Sequence, residues 1–284
     1  MSGPPPTVDF PTLLRLLDDD TPEVRRSVAA ALSCYEGDVS ELLGESGFSL
    51  ELPELELLSQ LLRPARRERL RREWLVPAHG IHSLHEDWDH SESMLRALSD
   101  FLHDGVTIRQ PLGDALDLLA EESEDAYHAG GAGALLRWLL GGGMLRSDPD
   151  GDIDPRHLDL AAVAGGHPSN AVGCGMVVLL VARRLGAAIS AINLPGSFLL
   201  VCDGETGESL HDPSARGREV DREDFIHRIR RYPTEVRLRC GRPASPGELV
   251  LRMTEELATA FAILEQEEDA ALIERLVESL EPGN

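Results

Sequence analysis

His79, His82, His85, Glu86, Asp87, Asp89 and His90 crowd twelve residues around Trp88. Histidine and carboxylate together are common ligands for transition metals, and the spacing of His82 and His85 places two imidazoles on one face of a helix. The order matches neither HExxH nor a facial triad. The segment therefore reads first as a pH-sensitive polar loop, with a mononuclear metal site or binding and acid-base residues that face a groove as the alternatives, and no metal is assigned to it. The acidic run from Asp148 to Pro155 resembles a calcium loop in composition, but it lacks the glutamate at the twelfth position and the regular ligand spacing. Cys34, Cys174, Cys202 and Cys240 stand far apart with no CxxC pair, which excludes a zinc ribbon and a disulfide framework. The 27 basic residues are all arginine, so no lysine is present to form a Schiff base or act as a general base. A GC-rich genome accounts for that bias most simply. No cofactor is implied.

The remaining chemistry must be set in a chain of 284 residues whose 50 acids against 27 bases give a net charge of −23. That balance argues against a nucleic-acid partner, because phosphate backbones are bound by clustered cations. It argues equally against an anionic membrane surface. The start, Met1 to Phe10, is proline-rich without the apolar stretch of a secretion signal. The longest apolar run, Met176 to Ala182, is too short to span a bilayer. A cytoplasmic protein with reduced thiols is expected.

The elements that must position any site follow from the hydrophobic pattern. Leu13, Leu14 and Leu17, then Val24, Val28, Ala31 and Leu32, give two helices around an acidic turn, a HEAT-like hairpin with Thr21 as N-cap and Pro22 in the first turn. Residues 50–75 continue as helix, with Arg63 to Arg72 forming either a solvated basic face or a binding surface for an anionic partner. Residues 94–103 and 112–122 are amphipathic, and Ala134 to Leu140 is a short apolar helix between glycines. Val172 to Leu185 is a strongly apolar helix closed by Gly186. Strands are expected over Ala188 to Leu194 and Phe198 to Cys202, a hairpin turn over Asp203 to Gly207, and a further strand around Glu235 to Cys240. Residues 247–280 form an antiparallel helix pair. The fold class is α+β and helix-rich, divided into an N-terminal helical region (1–147), a core with a central helix and a small antiparallel sheet (148–246), and a C-terminal helical hairpin (247–284).

Four stretches carry a family resemblance: Asp154-Pro-Arg-His-Leu-Asp-Leu-Ala-Ala-Val, Leu180-Val-Ala-Arg-Arg-Leu-Gly, Asn193-Leu-Pro-Gly-Ser-Phe-Leu, and His211-Asp-Pro followed by Gly217. Together they resemble bacterial transglutaminase-like proteins of the SirB type, and the helical flanks extend the resemblance over most of the chain. It implies a cysteine-histidine-aspartate triad with a thiolate at a helix amino end. Ser197 stands at the histidine position, and a serine hydroxyl cannot take a thiol proton near neutral pH. The nucleophile position falls on Ala171, three residues before Cys174, which is about 4.5 Å along a helix axis and about 300° around it. Asp212 alone matches. The resemblance therefore implies a degenerate triad, without ordinary transglutaminase or protease activity.

Two classes of function follow. A biosynthetic enzyme in bacterial natural-product metabolism closes a small nitrogen ring, of aziridine type, by attack of an amine already in the substrate with loss of sulfate or phosphate. Fixed geometry supplies much of the acceleration in such a step, roughly 7–11 kcal/mol in ideal cases. Asp212, Ser197 and Cys174 are its candidate catalytic residues, and Arg156, His157, Arg216, His82 and His85 its candidate binding residues for substrate or leaving group. The alternative is a catalytically inactive scaffold. Its partners would be a protein subunit or a carrier protein rather than a small-molecule amine. A thiol hydrolase acting through Cys174 is the remaining reading.

Overall fold

Proline and carboxylates fix where the helices begin. Pro11, Pro22, Pro53 and Pro246 each occupy the first turn of a helix, where a missing N–H leaves no hydrogen bond unmade. A computed structural model describes residues 9–17, 19, 21–148, 153–204 and 207–281. Most of the Met1–Phe10 start and the centre of the 148–155 acidic run lie outside those residues, as do two positions of the 203–207 turn. The chain divides into two compact units, residues 1–74 with 100–109, and residues 75–99 with 110–284.

The first unit is helical. It contains α1 (Phe10–Arg15), α2 (Pro22–Leu32), α3 (Ser40–Ser46) and α4 (Leu52–Glu73). Phe10, Leu13, Leu14, Val28, Leu32, Leu58 and Leu62 make its core. Thr21 precedes α2 as expected, yet its side chain makes no capping bond. Instead its N–H donates to Asp19 Oδ1 at 2.8 Å. The basic stretch on α4 is not an open cationic face. Arg66 is buried, and its guanidinium donates to the carbonyls of Asp104 (2.6 Å) and Ser59 (3.2 Å). Arg69 bonds Glu73 and Asp100, Arg71 bonds Glu68, and Arg72 bonds Glu36.

The second unit is α+β and helix-rich. α5 (Trp88–Leu102, through residue 99) precedes α6 (Leu112–Leu136), α7 (Leu160–Ala164) and the central helix α8 (Ala171–Leu185). α6 is longer than the pattern over 112–122 suggests. It is interrupted at Gly130 and Gly131, where Gly131 takes φ 64°, and the helix expected at 134–140 is its last turns and the turn that follows. The strands β1 (Ile189–Leu194), β2 (Ser197–Gly204), β3 (Gly207–Asp212) and β4 (Arg218–Val220) form one antiparallel meander in chain order. α9 (Arg222–Ile229), α10 (Thr234–Cys240), α11 (Pro246–Ile263) and α12 (Glu267–Leu280) complete the unit.

Every residue of α8 from Val172 to Ala182 is buried. Its packing on the sheet needs Gly175, since a Cβ there would overlap the Phe198 ring of β2. Phe198, Leu200 and Cys202 share this inner face. The outer face carries Ile192, Leu194, Leu199 and Val201, which pack with Phe225, Ile229 and Val236.

The strand expected around Glu235 to Cys240 is instead the helix α10. Val236 and Leu238 alternate as strand residues would, which would place both on one face. In the structure Val236 packs on the sheet while Leu238 is 73% exposed, the separation that a 100° helical step produces. Pro233 before it and Glu235 in its first turn are helix-start residues.

Candidate functional site at the amino end of the central helix

The amino end of α8 is built from five segments of the second unit. Asn170 is the N-cap, and its Oδ1 accepts from the N–H groups of Val172 (3.0 Å) and Gly173 (2.9 Å). Its Nδ2 donates to Glu256 Oε2 of α11 at 2.9 Å. The other Glu256 oxygen accepts from Arg252 Nε and Nη2 at 3.0 and 2.6 Å, and Arg252 Nη1 donates to the Leu194 carbonyl at 3.2 Å. The free N–H groups that make a helix start attractive to an anion are thus partly claimed by the chain's own side chain. Nothing in the spacing of Asn170, Arg252 and Glu256 marks them as partners. The visible signal was an asparagine directly before an apolar run.

Cys174 lies one turn inside. It is fully buried, and its Sγ is 3.7 Å from the Arg146 carbonyl. Burial pushes its thiol up to about 12, against a smaller opposing effect from Ser169. At neutral pH the group is held as the thiol, and the thiolate is the nucleophilic form. The strand-like segment that covers it is tied down on both sides. Ser169 N–H donates to the Arg146 carbonyl (2.9 Å), Asp148 N–H to the Ser169 carbonyl (2.8 Å), and Ser147 Oγ to the Ser214 carbonyl (3.0 Å).

Asp212 ends β3 and caps the turn Pro213–Ala215, which packs against α8. Its Oδ1 accepts from Ser214 N–H (2.9 Å) and Ser214 Oγ (2.6 Å). Its other oxygen is unclaimed among the described residues. Arg216 follows, exposed and with φ 56°. Ser197 opens β2 opposite Leu194. Strand alternation puts it on the outer face, away from Phe198 and α8, so the structure does not bring Ser197 to Cys174.

Arg156 and His157 lie on the turn Pro155–Leu158. Arg156 is committed to Asp154, with Nε and Nη2 at 2.9 and 2.7 Å from one carboxylate oxygen. Burial pushes Asp154 up, but the hydrogen bonds and charge of Arg156 outweigh it and hold the carboxyl below its usual range. The His157 carbonyl accepts from Ser169 Oγ, which brings this turn to the α8 start. His82 and His85 stand exposed on and just after the turn Gly80–Leu84. No metal-ligating cluster exists among the described residues. In the same stretch His90 Nε2 donates to the Leu75 carbonyl at 2.6 Å, Asp87 caps His90 N–H at 3.0 Å, and Asp89 pairs with Arg183 at 2.7 Å.

A further polar pair was missed in the sequence. His211 Nδ1 lies 3.0 Å from the Gly217 carbonyl, which can only accept, so that nitrogen carries the proton. The ring Nε2 lies 2.9 Å from Ser209 Oγ, whose hydroxyl is also 3.4 Å from the Cys202 carbonyl. Together these bonds brace the Asp212 turn from the inner face. Gly217 takes the left-handed φ of 71°, and a Cβ there would press on Leu140 at 3.0 Å.

Comparison with known proteins fits this architecture. Residues 107–255 match the model of the transglutaminase-like superfamily. A UPF0162 protein of Pseudomonas aeruginosa is 29% identical over 157 residues, 53% of each chain. UPF0162 proteins from two strains of Xylella fastidiosa are 32% identical over 77 residues, 27% of each chain. The chain thus spans about half the length, or less, of these curated relatives. No solved structure matches. With the match covering just over half of its length, and an apolar helix packed on an antiparallel meander within it, the chain belongs to the transglutaminase-like superfamily.

Proposed function

We propose that this chain is a SirB-type member with a degenerate triad, whose core binds and positions a ligand without a thiol nucleophile. The observation that carries the reading is Cys174, fully buried with its thiol pushed up to about 12. Brief treatment of the native protein with iodoacetamide at neutral pH tests it by peptide mapping. Cys34, which is exposed, serves as the internal control and should be carbamidomethylated, while Cys174 should react after denaturation alone. Rapid native labelling of Cys174 would sink the reading.

A second reading keeps chemistry at the same place. The free oxygen of Asp212 and the Arg216 guanidinium, both unclaimed among the described residues, lie four positions apart on one turn. Such a pair suits intramolecular amine attack: the carboxylate takes a proton from the ammonium, the freed nitrogen lone pair forms the C–N bond as the C–O bond to sulfate or phosphate breaks, and the guanidinium receives the departing anion. The product would be a small nitrogen ring of aziridine type. Asp212→Asn separates the readings, because the amide oxygen still caps Ser214 while the charge is gone. In a host lacking this gene, complementation by Asp212→Asn should leave a sulfated or phosphorylated amine precursor accumulating. Full restoration of the wild-type metabolite profile would exclude ring closure at Asp212. It would leave a scaffold that holds a partner subunit or a carrier protein.

A further inference from the structure

The outer face of the sheet, turned away from α8, holds a hollow of about 370 Å³. Its floor is apolar. Ile192, Val201, Leu210 and Val220 come from the four strands in turn, and Phe225 closes it from α9. This volume is at the small end of the range of small-molecule sites, which are apolar cavities with a few convergent polar groups.

The polar groups of the rim are unequal. Arg242 is held in a fork by Glu248, with Nη1 at 2.9 Å from one oxygen and Nη2 at 2.6 Å from the other. Asp221 caps α9 through the N–H groups of Glu223 and Asp224. Glu208 and Glu219 have no such partner among the described residues, and neither does Arg222. Glu208 also stands directly across β2–β3 from Asp203, on the same face. Like charges directly opposite each other on neighbouring strands are destabilising, and no cation among the described residues pairs with either carboxylate. Arg222 is the one unclaimed positive group of the lining, set at the first residue of α9.

We propose that this hollow is a binding site for a small organic cation. Its ammonium group would sit at Glu208 of the lining, on the side where Asp203 stands across from it, and its apolar body over Val201, Leu210 and Val220. Binding relieves the repulsion between the two carboxylates and covers apolar surface in the same step. The site is separate from the α8 amino end, so it stands whether or not the reading of Cys174 and Asp212 does.

The test is calorimetric titration of the full chain with 2-phenylethylamine and, separately, with phenylacetate, which offers the same ring with the opposite charge. The amine should bind saturably, and phenylacetate should not. Glu208→Gln combined with Asp203→Asn should weaken the amine roughly tenfold, consistent with two partly exposed ion pairs. Methyl chemical-shift mapping should place the ring against Leu210 and Val220. Phenylacetate binding as tightly as the amine would overturn the proposal. So would undiminished affinity in the double variant, or no saturable amine binding at millimolar concentrations.

Discussion

Glu248 does two things with one carboxylate. It holds the Arg242 guanidinium, and it accepts the Ser245 N–H at 2.8 Å in a capping box at the start of α11. Burial pushes its pKa up, but the bonds from Arg242 and Ser245 outweigh that and leave it below the ordinary glutamate value. A depressed folded-state pKa contributes stability that is present above the unfolded value and lost as pH falls through the folded one. Glu248→Gln, whose amide oxygen can still accept the Ser245 N–H, should therefore cost up to about 1 kcal/mol near pH 7, the scale of one partly exposed ion pair. In urea titrations the gap to wild type should narrow as pH falls below about 4.5; a gap independent of pH would assign the effect to packing. At this scale the sequence was informative where partners are local. Ser245, Pro246 and Glu248 form a recognisable capping pattern, and Asp212 sits in a readable Asp-Pro turn. It was silent where the partner is remote, as for Asn170 and Glu256, which lie 86 positions apart. Ser209 and His211 are two positions apart, but their roles depend on the Gly217 carbonyl, whose position is set by the fold.

The central helix and the meander meet through a contact that leaves no spare volume. Gly175→Ala would place a methyl group in the Phe198 ring, and overpacking of this kind costs about 1–3 kcal/mol. Its melting temperature should fall by several degrees, whereas Gly186→Ala at the other end of α8 would fail for a different reason, the left-handed φ of 66°. An unchanged Gly175→Ala melt would mean that Phe198 moves freely. The strands β1 and β2 were legible because period-two apolar residues flank Pro195-Gly196. The three-residue β4 carries no pattern at all, since Arg218, Glu219 and Val220 become a strand only by pairing with Asp212, His211 and Leu210. α10 shows the opposite failure. Its alternating Val236 and Leu238 fit a strand, and flanking chemistry at Pro233 and Glu235 decided otherwise.

Across the whole molecule, 50 acids against 27 arginines leave a net charge of −23, and self-repulsion of that size opposes compaction. Raising the ionic strength from roughly 0.01 to 0.15 M shortens the screening length from about 30 to about 8 Å. The melting temperature should rise by a few degrees in that interval. A fall would mean that local pairs such as Arg184 with Glu92 and Asp117 outweigh the long-range repulsion. Composition alone made the sign of the field legible. It did not reveal that the densest run of arginines is spent inside its own unit, on Asp104, Ser59, Asp100, Glu36, Glu68 and Glu73. The superfamily match ends at residue 255, and the carboxylate that receives Asn170 Nδ2 is Glu256. Dissection of the chain after residue 255 would therefore take away the carboxylate that holds the Asn170 amide while leaving every matched residue in place.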